Sequence, residues 1–222
     1  MKVILTGASG MVGKGVLYEC LDDAGVEQVL CVGRGPSGMS HPKVKDLVLR
    51  DLADYSAVEG QLNGYDACFF CLGVSSAGMS EAAYTKITYD LTMALARTLV
   101  RLSPAMTFIY VSGAGTDTTG KGSMWARVKG RVENELHALG FKQTVMFRPG
   151  LIRPMRGIVS RTKVYRALYA VMKPLIPALN ALAPRAVTDT DRVGKAMLQV
   201  VRAGTTKQSL TTADINALAH ER

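Results

Sequence analysis

The chain has 222 residues, is 48% hydrophobic and 20% charged, and sets 27 Lys and Arg against 18 Asp and Glu for a formal charge of +9. A chain of this length buries about 70–75% of its unfolded surface without a disulfide or metal staple, and this hydrophobic content excludes a disordered chain, so one domain over residues 1–222 is expected. The excess charge is local: no acid stands between Glu135 and Asp189, where nine basic residues do (Lys142, Arg148, Arg153, Arg156, Arg161, Lys163, Arg166, Lys173 and Arg185), and the other 18 basic residues balance the 18 acids.

Residues 3–6 are a short apolar run ending in glycines and read as a strand. Over residues 11–24, Val12, Val16, Leu17, Cys20 and Leu21 recur at helical spacing, with Gly25 placed to end the helix. A buried strand follows at 28–32, then strands at 44–49 and 67–72. A long helix covers 81–102, with Ala82, Ile87, Leu91, Leu95 and Leu99 on or near one face. Residues 107–111 read as a strand, 123–139 as a helix and 144–147 as a sixth strand. Strands without strict alternation, separated by helices, indicate a parallel sheet covered on both faces. The expectation is therefore an α/β, Rossmann-like, doubly wound parallel sheet of six or seven strands with a small helical C-terminal lobe. Residues 151–188 break the rhythm: they are basic, hold Pro154, Pro174, Pro177 and Pro184, and look helical in pieces, as a substrate lobe or lid inserted in the domain. Asp189 or Thr190 starts a helix over 189–201. Residues 209–219 read as a short strand and a final helix with Thr212 as N-cap.

Residues 2–6 already read as a strand, so no signal peptide is expected ahead of them. The longest apolar stretch, 164–183, is broken by Arg166, Lys173, Pro174 and Pro177 and does not read as a membrane span. Cys20, Cys31, Cys68 and Cys71 sit in apolar runs, as buried thiols of a reducing compartment do. Together these features point to the cytoplasm. Cys68 and Cys71 lie three apart on a strand, on opposite faces, so they do not form a redox or metal pair. His41, His137 and His220 have no metal-ligand spacing, and no metal is expected.

Between the first strand and the first helix lies Gly7-Ala-Ser9-Gly10-Met11-Val12-Gly13. Glycines at these places allow a sharp turn, let a pyrophosphate approach the backbone, and let the helix lie close to the strand. The helix N-terminus then offers unpaired N–H groups and a partial positive charge. A dinucleotide is thus the expected ligand. The second strand ends in Val32-Gly33-Arg34-Gly35, with Arg34 placed 21 positions after Gly13 where an acid would hold the ribose hydroxyls of NAD. A guanidinium suits a 2′-phosphate instead, so NADP(H) is favoured over NAD(H).

With these motifs the chain resembles the short-chain dehydrogenase/reductase superfamily, most of all its atypical branch. Cys71-Leu-Gly, Val128-Lys-Gly and Phe147-Arg-Pro-Gly are also similar to Tat-interacting oxidoreductase-like proteins and to bacterial nucleoside-diphosphate-sugar epimerase-like proteins. The resemblance runs from Lys2 to about Gly150 and more loosely to the end. It implies that Asp51 and Leu52 contact adenine, that Cys71, Leu72 and Gly73 lie along the cofactor, and that Pro149 and Gly150 stand beside the nicotinamide. It also implies that Ser112 polarises a substrate carbonyl and that Lys129 holds the ribose and lowers the pKa of a tyrosine four residues before it. That position is Trp125, and an indole does not titrate near neutral pH. Three readings follow: cofactor binding without catalysis, a proton from water or another residue such as Tyr165 or Tyr169, or hydride transfer to a quinone or flavin. The function expected is an NADP(H)-binding oxidoreductase- or epimerase-like protein acting on a small molecule; the alternative is a non-catalytic sensor. The basic segment reads as a solvated face or substrate lid, then as a peripheral membrane patch through 151–185, and last as a nucleic-acid contact, since no motif accompanies the charge.

Overall fold

The computed structural model describes residues 1–159 and 186–220. Strands β1 (Lys2–Thr6), β2 (Gln28–Gly33), β3 (Val44–Val48), β4 (Ala67–Phe70), β5 (Thr107–Val111) and β6 (Gln143–Arg148) match the expected runs to within two residues at each end. With β9 (Ser209–Thr211) they form one seven-stranded sheet in the order β3-β2-β1-β4-β5-β6-β9. Every pairing in it is parallel. Helix α1 (Met11–Asp22) connects β1 to β2, and a short helix α2 (Glu59–Leu62) precedes β4.

The apolar runs lack alternation because both sheet faces are buried. Ile4, Cys68, Phe70, Phe108 and Tyr110 point into one layer. It is closed by α3 (Glu81–Thr85), α4 (Leu91–Leu102) and α5 (Met124–Ala138). Val3, Leu5, Phe69, Ile109 and Val145 point into the other, beneath α1 and α6 (Thr190–Ala203). These two helices lie close because they meet at glycine: a Cβ on Gly15 would stand 2.4 Å from Thr190 Cβ, and one on Gly194 would stand 2.7 Å from Glu19 Cγ.

Several expectations are corrected. The long helix over 81–102 contains a π-helical turn, Lys86–Asp90, between α3 and α4, an irregularity that a regular apolar spacing does not announce. Residues 151–153 and 187–189 are not helical: β7 (Leu151–Arg153) pairs in parallel with β8 (Val187–Asp189). Three residues carry no readable period, and the partner lies more than 30 residues away. Helix α1 ends at Asp23 in an extended conformation rather than on Gly25. Helix α7 (Thr212–Leu218) is capped by Thr211, not Thr212, through a capping box with Asp214. Three cysteines are buried and Cys71 is half-buried, all as free thiols. Arg161, Lys163, Tyr165, Arg166, Tyr169, Met172, Lys173 and Arg185 lie outside the described residues, and with them most of the lid and membrane-patch readings.

Candidate functional site

Because β1 to β6 all run the same way, the segments leaving their carboxyl ends share one edge of the sheet. Gly7 follows β1, Arg34 follows β2, Asp51 lies beyond β3, Cys71 follows β4, Ser112 follows β5 and Pro149 lies just beyond β6. Strand order reverses between β1 and β4, where a doubly wound sheet opens a crevice.

The glycine turn lies at that reversal, between β1 and α1. Gly7 has φ of +72°, and a Cβ there would stand 2.6 Å from Cys71 O, so the turns after β1 and β4 touch. Leu72 N donates to Thr6 Oγ1 at 3.2 Å, which ties the same two turns. Gly10 N donates to Gly7 O at 2.8 Å. A Cβ on Gly13 would stand 2.2 Å from Gly7 O. Gly10 is the N-cap of α1 and supplies no side-chain cap, and the first turn, from Met11 and Val12 onward, holds no acid. A helix start without a side-chain cap from Gly10 and without an acid in its first turn fits a pyrophosphate. Ser9 is half-buried within this turn.

Arg34 is exposed and forms no ion pair among the described residues. Asp51 is exposed, accepting from Ala53 N at 2.8 Å, while Leu52 is buried in the core. Leu72 is half-buried and Gly73 exposed.

At the other half of the edge, Ser112 is buried, and its N and Oγ both donate to Phe147 O, at 2.9 and 3.2 Å. Ala114 N donates to Pro149 O at 2.8 Å. Gly150 N donates to Thr212 Oγ1 at 2.8 Å, so the residue expected to cap α7 instead pins the turn after β6. Lys129, from α5, donates through Nζ to Ser112 O. Desolvation pulls its ammonium down to about 8, with Glu133 pulling the other way. Glu133, one turn further along α5 and 1% exposed, receives two donors from the Arg148 guanidinium.

Trp125 lies one turn before Lys129. Its indole lies over Gly115, where a Cβ would stand 3.4 Å from Cη2, and, like Leu72 and Met79, it packs against the edge of the buried core layer. The loop carrying Gly115 is shaped by Asp117, whose carboxylate accepts from Thr119 N and Oγ1, Lys121 N and Gly122 N. Those donors hold it down at about 2.

The structure brings together Gly7 to Gly13, Cys71, Ser112, Lys129 and the Pro149–Gly150 turn; Arg34 and Asp51 lie further along the same edge. Sequence reasoning misses Thr6, Asp117 and Glu133, polar residues whose partners are distant or in loops, and gives Thr212 a capping role in place of its bond to Gly150; only the Asp117-to-Gly122 spacing signals a turn. Three arginines of the basic segment, which reads as a solvated face or lid, form ion pairs within the chain. Arg148 pairs with Glu133, Arg153 with Asp189 at 3.4 Å, and Arg156 with Glu19, Asp22 and Asp191. Acids from the neutral part of the chain reach them only through the fold.

The family model "NAD dependent epimerase/dehydratase family" matches residues 3–123. Among curated relatives, protein fmp52, mitochondrial, of Aspergillus fumigatus is 31% identical over 163 residues, 69% of this chain and 68% of its own length. The Emericella nidulans protein of the same name is 29% identical over 161 residues, again 69% of this chain and 68% of its own. Among solved structures, the Bordetella bronchiseptica enzyme WbmF in complex with NAD+ superposes with a TM-score of 0.68 at 17% identity, covering 97% of this chain and 76% of that one. A tyrosine-to-alanine mutant of uronate dehydrogenase from Agrobacterium tumefaciens, complexed with NAD, superposes with a TM-score of 0.66 at 17% identity, covering 94% of this chain and 75% of that one. At such identity these structures speak for the fold. The names of the curated relatives overturn the expected cytoplasmic location, since they are mitochondrial proteins. Buried thiols report reducing surroundings and do not tell one such compartment from another. Through its glycine turn, its sheet order and the match over more than half its length, the chain belongs to the NAD-dependent epimerase/dehydratase family.

Proposed function

We propose that this chain binds a nicotinamide dinucleotide across the carboxyl edge of its sheet and interconverts a small carbonyl compound and its alcohol. The observation that carries the reading is the Gly7–Gly13 turn, whose three glycines bring backbone against backbone at the N-terminus of α1, where Gly10 supplies no side-chain cap. There the turn and the helix N–H groups would hold the pyrophosphate. Arg34 would take the adenine-side 2′-phosphate and Asp51 would lie near adenine. The Cys71–Gly73 main chain would run along the dinucleotide, and Pro149 and Gly150 would border the nicotinamide. Bound there, the nicotinamide supplies or accepts hydride. The chain's own part is to hold Lys129 against the end of β5, to keep the Ser112 hydroxyl beside it, and to exclude water with the Trp125 ring.

NADP(H) over NAD(H) rests on Arg34, exposed and without an ion partner among the described residues. Titration calorimetry should show NADPH binding about tenfold or more tightly than NADH; equal affinities remove that preference, and no binding of either removes the function. Trp125 favours a second reading, a sensor that binds cofactor without turnover, because an indole cannot give up a proton near neutral pH. NADPH binding without consumption across a broad carbonyl screen selects the sensor; consumption of NADPH selects the enzyme.

A further inference from the structure

Building on the cofactor-binding reading above, we propose that Lys129 is itself the proton donor when this site reduces a carbonyl. Trp125 occupies the place one turn earlier on α5, and its ring edge lies over Gly115, so this position of the helix offers no hydroxyl. Lys129 Nζ crosses from α5 to the carboxyl end of β5 and donates to Ser112 O. An ammonium has three N–H groups, and no other hydrogen-bond partner of Nζ occurs among the described residues. The Ser112 hydroxyl beside it points to Phe147 O. It can still accept a hydrogen bond but has spent its proton.

Among the described residues the ionisable groups in this corner are few. Glu133 lies one turn on and is tied to Arg148 of β6. Tyr110 of β5 and Tyr84 of α3 are buried, and burial holds the Tyr110 phenol neutral. Desolvation brings Lys129 to about 8, so both its forms are populated near neutral pH, as a general acid requires. In the step itself the carbonyl carbon gains a hydride from the reduced nicotinamide. The C=O electron pair moves to oxygen, and that oxygen takes a proton from Nζ. Lys129 is left as a neutral amine and regains a proton from water; the products are an alcohol and the oxidised dinucleotide.

Trp125 is the only tryptophan and shares a helix face with Lys129, so its fluorescence reads the charge of Nζ without any ligand. Titrated between about pH 6 and 10, the unaltered chain should show a step near 8, well below an ordinary lysine. The step should vanish in Lys129→Arg, which stays charged, and in Lys129→Met. With NADPH and 9,10-phenanthrenequinone, the rate should be flat below the step and fall about tenfold per pH unit above it, and Lys129→Arg should lose about 100-fold or more. A missing step overturns the proposal. So does a Lys129→Arg rate within about threefold of the unaltered chain, or bound NADPH with no quinone reduction. If neither variant shows a native circular dichroism spectrum, the fluorescence step and pH–rate profile of the unaltered chain decide together. Failure of NADPH and NADH to bind removes the function proposed above but leaves the fluorescence step intact, so the two failures are told apart.

Discussion

A methyl group on Gly13 would stand 2.2 Å from a backbone oxygen, and nothing there can move without opening the turn. Gly13→Ala is therefore expected to cost about 2 kcal/mol of stability and to weaken NADPH binding by about tenfold or more. A denaturant midpoint and a binding titration check both, and normal values for each would show that the turn has room. The glycines are legible from sequence because three of them, spaced between a strand and a helix, mark a place where backbone must approach backbone or ligand closely. Arg34 tests cofactor choice directly: Arg34→Asp should lower NADPH affinity and raise NADH affinity, reversing their order. An unchanged ratio would mean that Arg34 does not meet the ribose. Trp125 is legible as a departure from a familiar spacing, but its packing over Gly115 is not, because that contact depends on how the loop after β5 folds back.

Elements are joined here by polar residues that the sequence does not pair. Asp117 organises the loop between β5 and α5 through four donors and is held at about 2. Its folded value lies below the unfolded one, so its stabilising effect is complete above about pH 4 and disappears as pH falls toward 2. Asp117→Asn should remove this acid-dependent part and raise amide exchange at Lys121 and Gly122 near neutral pH; unchanged exchange would separate Asp117 from the loop's order. Glu133 is buried with Arg148 as its partner. Glu133→Gln leaves the half-buried Arg148 charge without its counter-ion, an expected cost of about 3 kcal/mol, measurable by chemical denaturation. A loss under about 1 kcal/mol would mean that water reaches Arg148. The sequence locates α5 and β6 well but does not join them, since their pairing is set by the parallel register of β5 and β6.

Across the whole molecule the charge imbalance is partly resolved by folding. Arg156 lies in a stretch without acids, yet it meets Glu19 and Asp22 from α1 and Asp191 from α6, with the Tyr18 ring 5.7 Å from its guanidinium. Its φ of +51° is a left-handed conformation that favours glycine. Arg156→Ala loses the ion pairs and keeps the backbone strain, whereas Arg156→Gly loses the pairs and relieves it. The glycine variant should therefore be the more stable of the two, by up to about 1 kcal/mol; equal melting temperatures would show that the turn carries no strain. By itself the sequence determined the alternation of strands and helices, the glycine turn at the start, the place of Arg34, and the tryptophan four residues before Lys129. These features are written locally, in spacing and in residue types with narrow uses. Only the tertiary structure decided that Thr212 pins the turn after β6, that Lys129 reaches Ser112, and that Arg148, Arg153 and Arg156 are paired with this chain's own acids. Each of those contacts joins residues brought together by strand order and register, and no property of one segment alone specifies its partner.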